Sequence, residues 1–218
     1  MKLAQAQEEK NPDVRESRLY SCEIDTPLGA MLAVADDERL QLLEFADCQA
    51  LDSELAWIKR RHDAAIVPGA NAVLEQIKQD LERYFASEEQ SPDIQRPSGT
   101  GISPDIQRVG GTGVSPVFST PISIAGTPFQ TAVWNQLLKI PPSETRSYAD
   151  IARAIGNPKA VRAVGTANGA NRLCLIVPCH RVVATDGSLS GYGGGRWRKE
   201  WLLKHEQQSS FLFCQNSI

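Results

Sequence analysis

The sequence predicts an α+β protein of two domains joined by a linker. Three observations lead there. Strand-length apolar runs separated by turn residues fill the first third of the chain. A Gly-, Ser- and Pro-rich stretch with an internal repeat follows. The segment from Gly126 to Glu206 is then dense in helix start and stop signals. With 218 residues, 41% of them hydrophobic, the chain can bury one large core or two small ones.

In chain order, residues 1–18 read as a polar N-terminal extension. Met1–Asn11 has no apolar core of a signal peptide, and no stretch is apolar enough to span a membrane. Residues 19–87 read as a small α/β domain. Its strands are Tyr20–Ile24, Ala30–Ala35 and Leu40–Phe45, the first two parted by a Thr26-Pro27-Leu28-Gly29 turn. Its helix is Val73–Phe85, where Val73, Leu74, Ile77, Leu81, Tyr84 and Phe85 fall near a 3.6 period. Residues 88–121 read as a flexible linker. Here Ser91-Pro92-Asp93-Ile94-Gln95-Arg96 recurs at Ser103–Arg108 with period 12, too polar and too short an array to stack as a solenoid. A binding arm is the alternative reading of this repeat.

Residues 122–208 read as a mainly helical domain, and 209–218 as a tail. Thr127-Pro128 starts a helix with Phe129, Val133, Trp134, Leu137 and Leu138 on one face, stopped by Pro141-Pro142. Ser147 caps Tyr148–Ile155, with Asp150 completing a capping box and Gly156 ending the helix. Asn157-Pro158 starts a further helix through Asn168, as N-cap and first-turn proline. Two short helices joined by a tight glycine turn form a helix-turn-helix pattern. In the second helix Ala160, Ala163, Gly165, Thr166 and Ala167 are small, and Lys159 and Arg162 are basic. That suits close approach to a phosphate backbone or groove floor, and equally a helix–helix contact. Gly126–Glu206 carries 11 Lys and Arg against 5 Asp and Glu, a net of +6, while the remainder carries 12 against 21, a net of −9. The split favours a polyanionic partner for the C-terminal part.

The chemistry concentrates in Ile176-Val177-Pro178-Cys179-His180-Arg181-Val182-Val183. A free thiol of pKa ~8.5 is mostly protonated at neutral pH, and an adjacent base converts it to an attacking thiolate. The competing reading is a buried strand cysteine beside a chance histidine. Gly191-Tyr192-Gly193-Gly194-Gly195 downstream is either a loop whose backbone can approach a flat ligand or a plain turn. Arg198–Glu206 is an amphipathic helix, and Glu206 is either the carboxylate that orients His180 or a solvated end residue. Five cysteines without C-x-x-C spacing and only three histidines argue against a structural zinc site and for reduced thiols in the cytoplasm. No metal or other cofactor is expected.

The segment Gly126–Glu206 resembles the C-terminal domain of the O6-alkylguanine-DNA alkyltransferases, the methylated-DNA–protein-cysteine methyltransferases. The resemblance rests on Gly126-Thr127-Pro128-Phe129-Gln130, Val133-Trp134, Ser147-Tyr148, Gly156–Ala160, Arg162–Gly165 and Ala167-Asn168. It continues through Pro178–Val183, Gly191-Tyr192, Gly194-Gly195, Lys199–Leu203 and His205-Glu206, in the family's order and spacing. Thr26–Gly29 resembles the family's N-terminal domain more loosely. The resemblance implies a ribonuclease H-like N-terminal domain and a winged helix-turn-helix-like C-terminal one. It implies a target guanine flipped from the duplex, with Cys179 taking the alkyl group from O6 by SN2 displacement, once per molecule. O4-alkylthymine is expected as a further substrate. By the same matching His180 is the base, acting through a water and oriented by Glu206. Tyr148 donates to N3 of the leaving guanine, and Arg162 fills the gap of the flipped base. Asn171 is the hinge after the recognition helix. Backbone groups of Cys179, Val182 and Gly193 bind the guanine edge, in a pocket that includes Tyr192 and Gly194. The helix bearing Lys159, Ala160, Ala163, Gly165 and Thr166 lies in the minor groove of double-stranded DNA, where little sequence preference is expected. A monomer with no membrane association is implied.

Departures from the family's pattern carry expectations of their own. Arg172 stands where proline is frequent, implying a looser hinge or a phosphate contact. Cys174 is a second thiol or a packed structural cysteine. Gly194 leaves room for larger alkyl groups, and Gly193 replaces a serine whose backbone N–H is the working group. The alternative is a non-catalytic alkylated-DNA-binding protein, against which the presence of Cys179 speaks. A helix-turn-helix transcription factor would need no Cys179, and a cysteine hydrolase would turn over.

Overall fold

The computed structural model describes residues 18–86 and 118–215, with side chains as far as 208. The polar start, the repeat and the last three residues lie outside the described residues. β1 (Leu19–Ile24), β2 (Met31–Ala35) and β3 (Leu40–Phe45) pair antiparallel in sequence, and β4 (Ile66–Pro68) adds in parallel to β1. The sheet order is β3-β2-β1-β4. The turn between β1 and β2 closes because Thr26 Oγ1 donates to Gly29 O at 2.6 Å, and Gly29 takes φ +105°, open to glycine.

Alternation along the strands sends successive side chains to opposite faces. Val34 and Leu42 join Leu19 and Ile58 beneath α1 (Leu51–His62). Met31, Ala33, Leu43 and Phe45 join Val73, Leu74, Ile77 and Leu81 of α2 (Ala72–Phe85) on the other face. Asn71 caps α2, its Oδ1 accepting from Leu74 N at 2.9 Å. Each of the larger side chains among them that is fully buried, such as Met31, Leu43, Phe45, Leu74 and Ile77, contributes about 1.5–3 kcal/mol. α1 and β4 have no counterpart among the sequence expectations. The buried positions of α1 are Glu54 and Ile58, so its apolar stripe is thin, and β4 is three residues long with Pro68 at the sheet edge.

The described end of the stretch read as a linker is pinned to the body. Asp80 of α2, fully buried, accepts from Ser119 N and Thr120 N, both at 2.8 Å, and from Thr120 Oγ1 at 2.6 Å. The chain then runs along the outer edge of β3. Leu40 N donates to Pro121 O at 2.8 Å, and Ser123 N to Leu40 O at 2.9 Å. A second segment covers the same edge further on: Leu43 N donates to Arg172 O and Cys174 N to Leu43 O, each at 2.8 Å.

α3 (Pro128–Leu137) and α4 (Tyr148–Ala154) both start with complete capping boxes, at Thr127/Gln130 and Ser147/Asp150. Gly156 at φ +74° turns the chain after α4. α5 (Val161–Gly169) starts later than Asn157-Pro158 suggests. Those residues form a turn in which Ala160 N bonds Asn157 O at 3.0 Å, and Ala160 is the cap. Trp134 Nε1 donates to Ala167 O at 2.8 Å and locks α3 to α5. β5 (Arg146–Ser147) pairs in parallel with β6 (Val182–Val183), joining the start of α4 to the segment after Cys179. α6 (Arg196–Gln215) is longer than the expected Arg198–Glu206, so the division expected at residue 208 falls inside a helix. One buried cluster runs from the sheet and α2 through α3, α4 and α5 to Leu202 of α6. No helix among the described residues is long and apolar enough to cross a membrane.

Candidate active site

Cys179 opens a single 3₁₀ turn, Cys179–Arg181, between the end of α5 and β6. Pro178 precedes it, and Cys179 N bonds Val177 O at 2.8 Å. Two asparagines from the end of the α5 segment hold the turn. Asn168 Nδ2 donates to Cys179 O at 3.3 Å, and Asn171 Nδ2 reaches both Val177 O at 2.8 Å and Cys179 Sγ at 3.2 Å. Asn171 Oδ1 accepts from Leu173 N at 3.0 Å, which orients the amide. The sulfur therefore faces a donor, an arrangement that favours its charged form. The Cys174 thiol, with Asn171 and the Lys199 cation, lowers the Cys179 thiol and outweighs burial and the nearby Glu44, which raise it.

His180 is fully buried, and its Nε2 lies 2.8 Å from Glu206 Oε1. A carboxylate only accepts, so Nε2 carries the proton and Nδ1 the lone pair. Nδ1 has no hydrogen-bond partner among the described residues. Burial holds His180 below the ordinary imidazole range, only partly offset by Glu206. Glu206 also accepts from Tyr84 Oη at 3.0 Å and, through both oxygens, from Arg181 Nε and Nη2 at 2.8 and 2.7 Å. Burial opposes its ionisation, yet His180 and Arg181 hold it well below the ordinary carboxylate range. The Arg181 cation thus balances the Glu206 charge and leaves His180 a neutral base. The reading of Glu206 as a solvated helix end does not hold, since it is 2% exposed.

Tyr148 begins α4, and its Oη accepts from Ser190 Oγ at 2.9 Å, leaving its own proton free to donate. Val182 O accepts from Lys199 Nζ at 2.6 Å, and that fully buried lysine is pushed down to about 8 by burial, against the pull of Cys179. On α5, Arg162, Ala163 and Thr166 are exposed with Lys159 just before them, while Val164, Ala167 and Asn168 point inward. Ala160 is half-buried, and a side chain at Gly165 would lie 3.9 Å from the Tyr148 ring. The fold therefore gathers Cys179, His180, Glu206, Asn171 and Val182 inside and leaves Lys159, Arg162, Ala163 and Thr166 on the surface.

Two departures, at Gly194 and Arg172, resolve differently from expectation. Gly194 does not open space: a Cβ there would meet Phe45 at 2.7 Å and Tyr192 at 2.9 Å. Gly193 is exposed, and a Cβ on it would come no nearer than 3.8 Å to Cys48 Sγ. Arg172 packs inward and does not face outward for phosphate. Its guanidinium lies 3.9 Å over the Trp57 ring and donates to Ala125 O at 3.2 Å. Sequence reasoning missed Arg181, Lys199, Ser190 and Tyr84. Arg181 and Lys199 stood within the matched motifs, whereas Tyr84 lies 122 positions from its partner Glu206 and gave no signal beyond an apolar helix face.

A buried cysteine held in a turn, with a neutral histidine and a charged carboxylate behind it and a short helix pair beside it, defines a cysteine-nucleophile protein on a helical binding scaffold. Residues 128–208 match the model of the 6-O-methylguanine DNA methyltransferase DNA-binding domain. The methylated-DNA–protein-cysteine methyltransferase of Methanosarcina acetivorans is 34% identical over 189 residues, covering 86% of this chain and 98% of that protein. The constitutive enzyme of that name from Bacillus subtilis is 36% identical over 191 residues, covering 87% and 96%. The crystal structure of Mycobacterium tuberculosis OGT in complex with DNA matches with a TM-score of 0.63 at 34% identity, over 88% of this chain and 94% of that one. The chain belongs to the methylated-DNA–protein-cysteine methyltransferase family.

Proposed function

We propose that this chain repairs alkylated DNA by direct reversal, moving the alkyl group of O6-alkylguanine onto its own Cys179 and stopping after one transfer. The observation that carries the reading is the buried Cys179–His180–Glu206 set, with Asn171 donating to the sulfur. In the transfer the sulfur–carbon bond forms as the carbon–O6 bond breaks, and the electron pair stays on guanine. Tyr148 donates a hydrogen bond from its hydroxyl to guanine N3 as that charge develops, and the proton taken up by His180 returns through water to the released guanine. The thiol proton leaves through a water to His180 Nδ1, and Glu206 stabilises the resulting imidazolium. The product is an S-alkylcysteine and an intact guanine. No group removes the alkyl chain from a thioether, so the molecule is consumed.

DNA is taken through the exposed face of α5, with Arg162 entering the space of the flipped base and the small residues lying along the minor groove. The pocket is bounded by Asn171, Val182, Tyr192, Gly193 and Gly194. We place a ribonuclease H-like domain at 19–87 and a winged helix-turn-helix-like domain at 122–208, acting together as a cytoplasmic monomer, with O4-alkylthymine as a second substrate.

The test is the intact mass of the protein after incubation with an O6-methylguanine duplex, followed by peptide mapping. One methyl group on Cys179, saturating at one equivalent, is expected, and Cys179→Ala is expected to bind the duplex without gaining mass. Lesion binding without a mass gain in the unsubstituted protein identifies a sensor instead.

A further inference from the structure

The mechanism gives the N-terminal sheet no part at the pocket, yet one buried cation of α6 connects the two. Arg198 is 4% exposed. Its Nη1 donates to Gly194 O at 2.7 Å and to Asp47 Oδ1 at 2.8 Å, and its Nη2 to Asp47 Oδ2 at 2.9 Å. Its Nε donates to Leu28 O at 2.8 Å, in the turn between β1 and β2. The guanidinium lies 4.1 Å from the ring centre of Phe45, the last residue of β3. Gly194 is pressed on the same ring, which leaves no room there for a Cβ. Gly195 closes the loop at φ +94°, its N–H donating to Tyr192 O at 2.9 Å. The glycine loop thus takes its position from Leu28, Phe45 and Asp47, all in the first quarter of the chain. A carboxylate that grips a guanidinium through both oxygens fixes its orientation as well as its distance. The Asp47 side chain is 63% exposed, so the pair adds little to stability as such. Its effect on position is larger. Without Asp47 a buried cation loses its counter-charge and leaves its slot, and Gly194 O loses the donor that holds it.

We propose that Asp47 is a positioning residue for the guanine pocket: acting through Arg198, it holds the Tyr192–Gly195 loop where the loop backbone meets the flipped base. The N-terminal sheet then takes part in substrate binding without touching substrate. The proposal rests on the alkyl-transfer reading for the identity of that substrate. The anchoring of the loop is a property of the protein alone.

The experiment compares Asp47→Ala with the unsubstituted full chain. It follows amide hydrogen exchange in the peptide covering residues 190–198, methyl transfer from free O6-methylguanine and from an O6-methylguanine duplex, duplex affinity, and alkylation of Cys179 by iodoacetamide. Loop exchange is expected to quicken. Both transfer rates are expected to fall about tenfold, because both substrates use the pocket and a displacement of about 1 Å at the base costs that much or more. Duplex affinity and iodoacetamide alkylation are expected to stay, since the exposed face of α5 and the thiol are untouched and the reagent needs no guanine pocket. Asp47→Asn keeps an acceptor oxygen and the shape, so it recovers part of the loss, and it takes the place of Asp47→Ala if that variant does not fold. Unchanged loop exchange overturns the proposal, and so does quickened exchange with unchanged transfer. An equal fall in iodoacetamide alkylation also overturns it, because that marks a general loosening of the fold. An unsubstituted protein that takes no methyl group from either substrate defeats the alkyl-transfer reading and the substrate named here, while quickened loop exchange in Asp47→Ala still upholds the anchor.

Discussion

Arg162 and Asn168 share α5 yet face opposite ways, one to solvent and one to the carbonyl of Cys179. The side chain proposed to enter DNA and the side chain that holds the Cys179 turn are thus six residues apart on one helix. Arg162→Ala is expected to slow methyl transfer from duplex DNA about tenfold or more while leaving transfer from free O6-methylguanine base unchanged, because only the duplex requires unstacking. Comparison of the two second-order rates checks this, and equal losses count against the flipping role. The residues around the sulfur were legible where they share one short stretch: Cys179, His180 and Asn171 are neighbours in sequence. Arg181 was visible as a letter in the same motif, but its bidentate grip on Glu206 depends on α6 folding back over the turn. Tyr84 and Glu44 come from the other end of the chain, and only tertiary packing brings them to the site.

Among the elements, α2 does more than cover the sheet. Its Asp80 receives both backbone donors at Ser119 and Thr120 and so decides where the second half of the chain begins its path. Asp80→Ala leaves the buried Thr120 N–H and hydroxyl without their acceptor and is expected to cost about 3 kcal/mol, read as a lower urea midpoint with unchanged slope. β1 to β3, α2 and the capped starts of α3 and α4 were legible because periodicity and cap chemistry are local. α1 was not, since its stripe is interrupted by the buried Glu54 and its last turn is basic. The start of α5 was misplaced for a related reason. Asn157-Pro158 satisfies the rules for a helix start, but a tight turn there uses the same residues and leaves the cap to Ala160.

At the scale of the whole molecule, the buried charges set the response to pH. Glu206, through His180 and Arg181, and Asp80, through Thr120 and Ser119, are held below the ordinary carboxylate range in spite of burial. Each gives stability that is complete above about pH 4 and lost as pH falls through the folded value. Burial holds His180 and His205 below the ordinary imidazole range, so acid below about pH 6.5 favours the unfolded chain through them as well. Glu54 acts in the opposite sense. Burial and then Glu44 push it up to about 7, so it withdraws stability as pH rises from the ordinary carboxylate value towards that point. Glu54→Gln is expected to raise the melting temperature at pH 8 and to leave it nearly unchanged at pH 5, while both proteins lose stability steeply below pH 4. Calorimetric scans at the three pH values check the pattern, and an equal gain at pH 5 and pH 8 would assign the effect to packing instead of charge.

The outer edge of β3 carries a last consequence, in the order of synthesis. All four strands of the sheet are encoded by residue 68, whereas the segments that cover β3 arrive only at residues 121–123 and 172–174. A growing chain on the ribosome therefore displays an open strand edge for about a hundred residues of elongation, which is several seconds at ordinary translation rates. Fragments released before residue 174 retain that edge and are expected to associate through it. The acidic N-terminal part, whose like charges repel between copies, then protects the nascent chain through the interval before its own second half closes over the sheet.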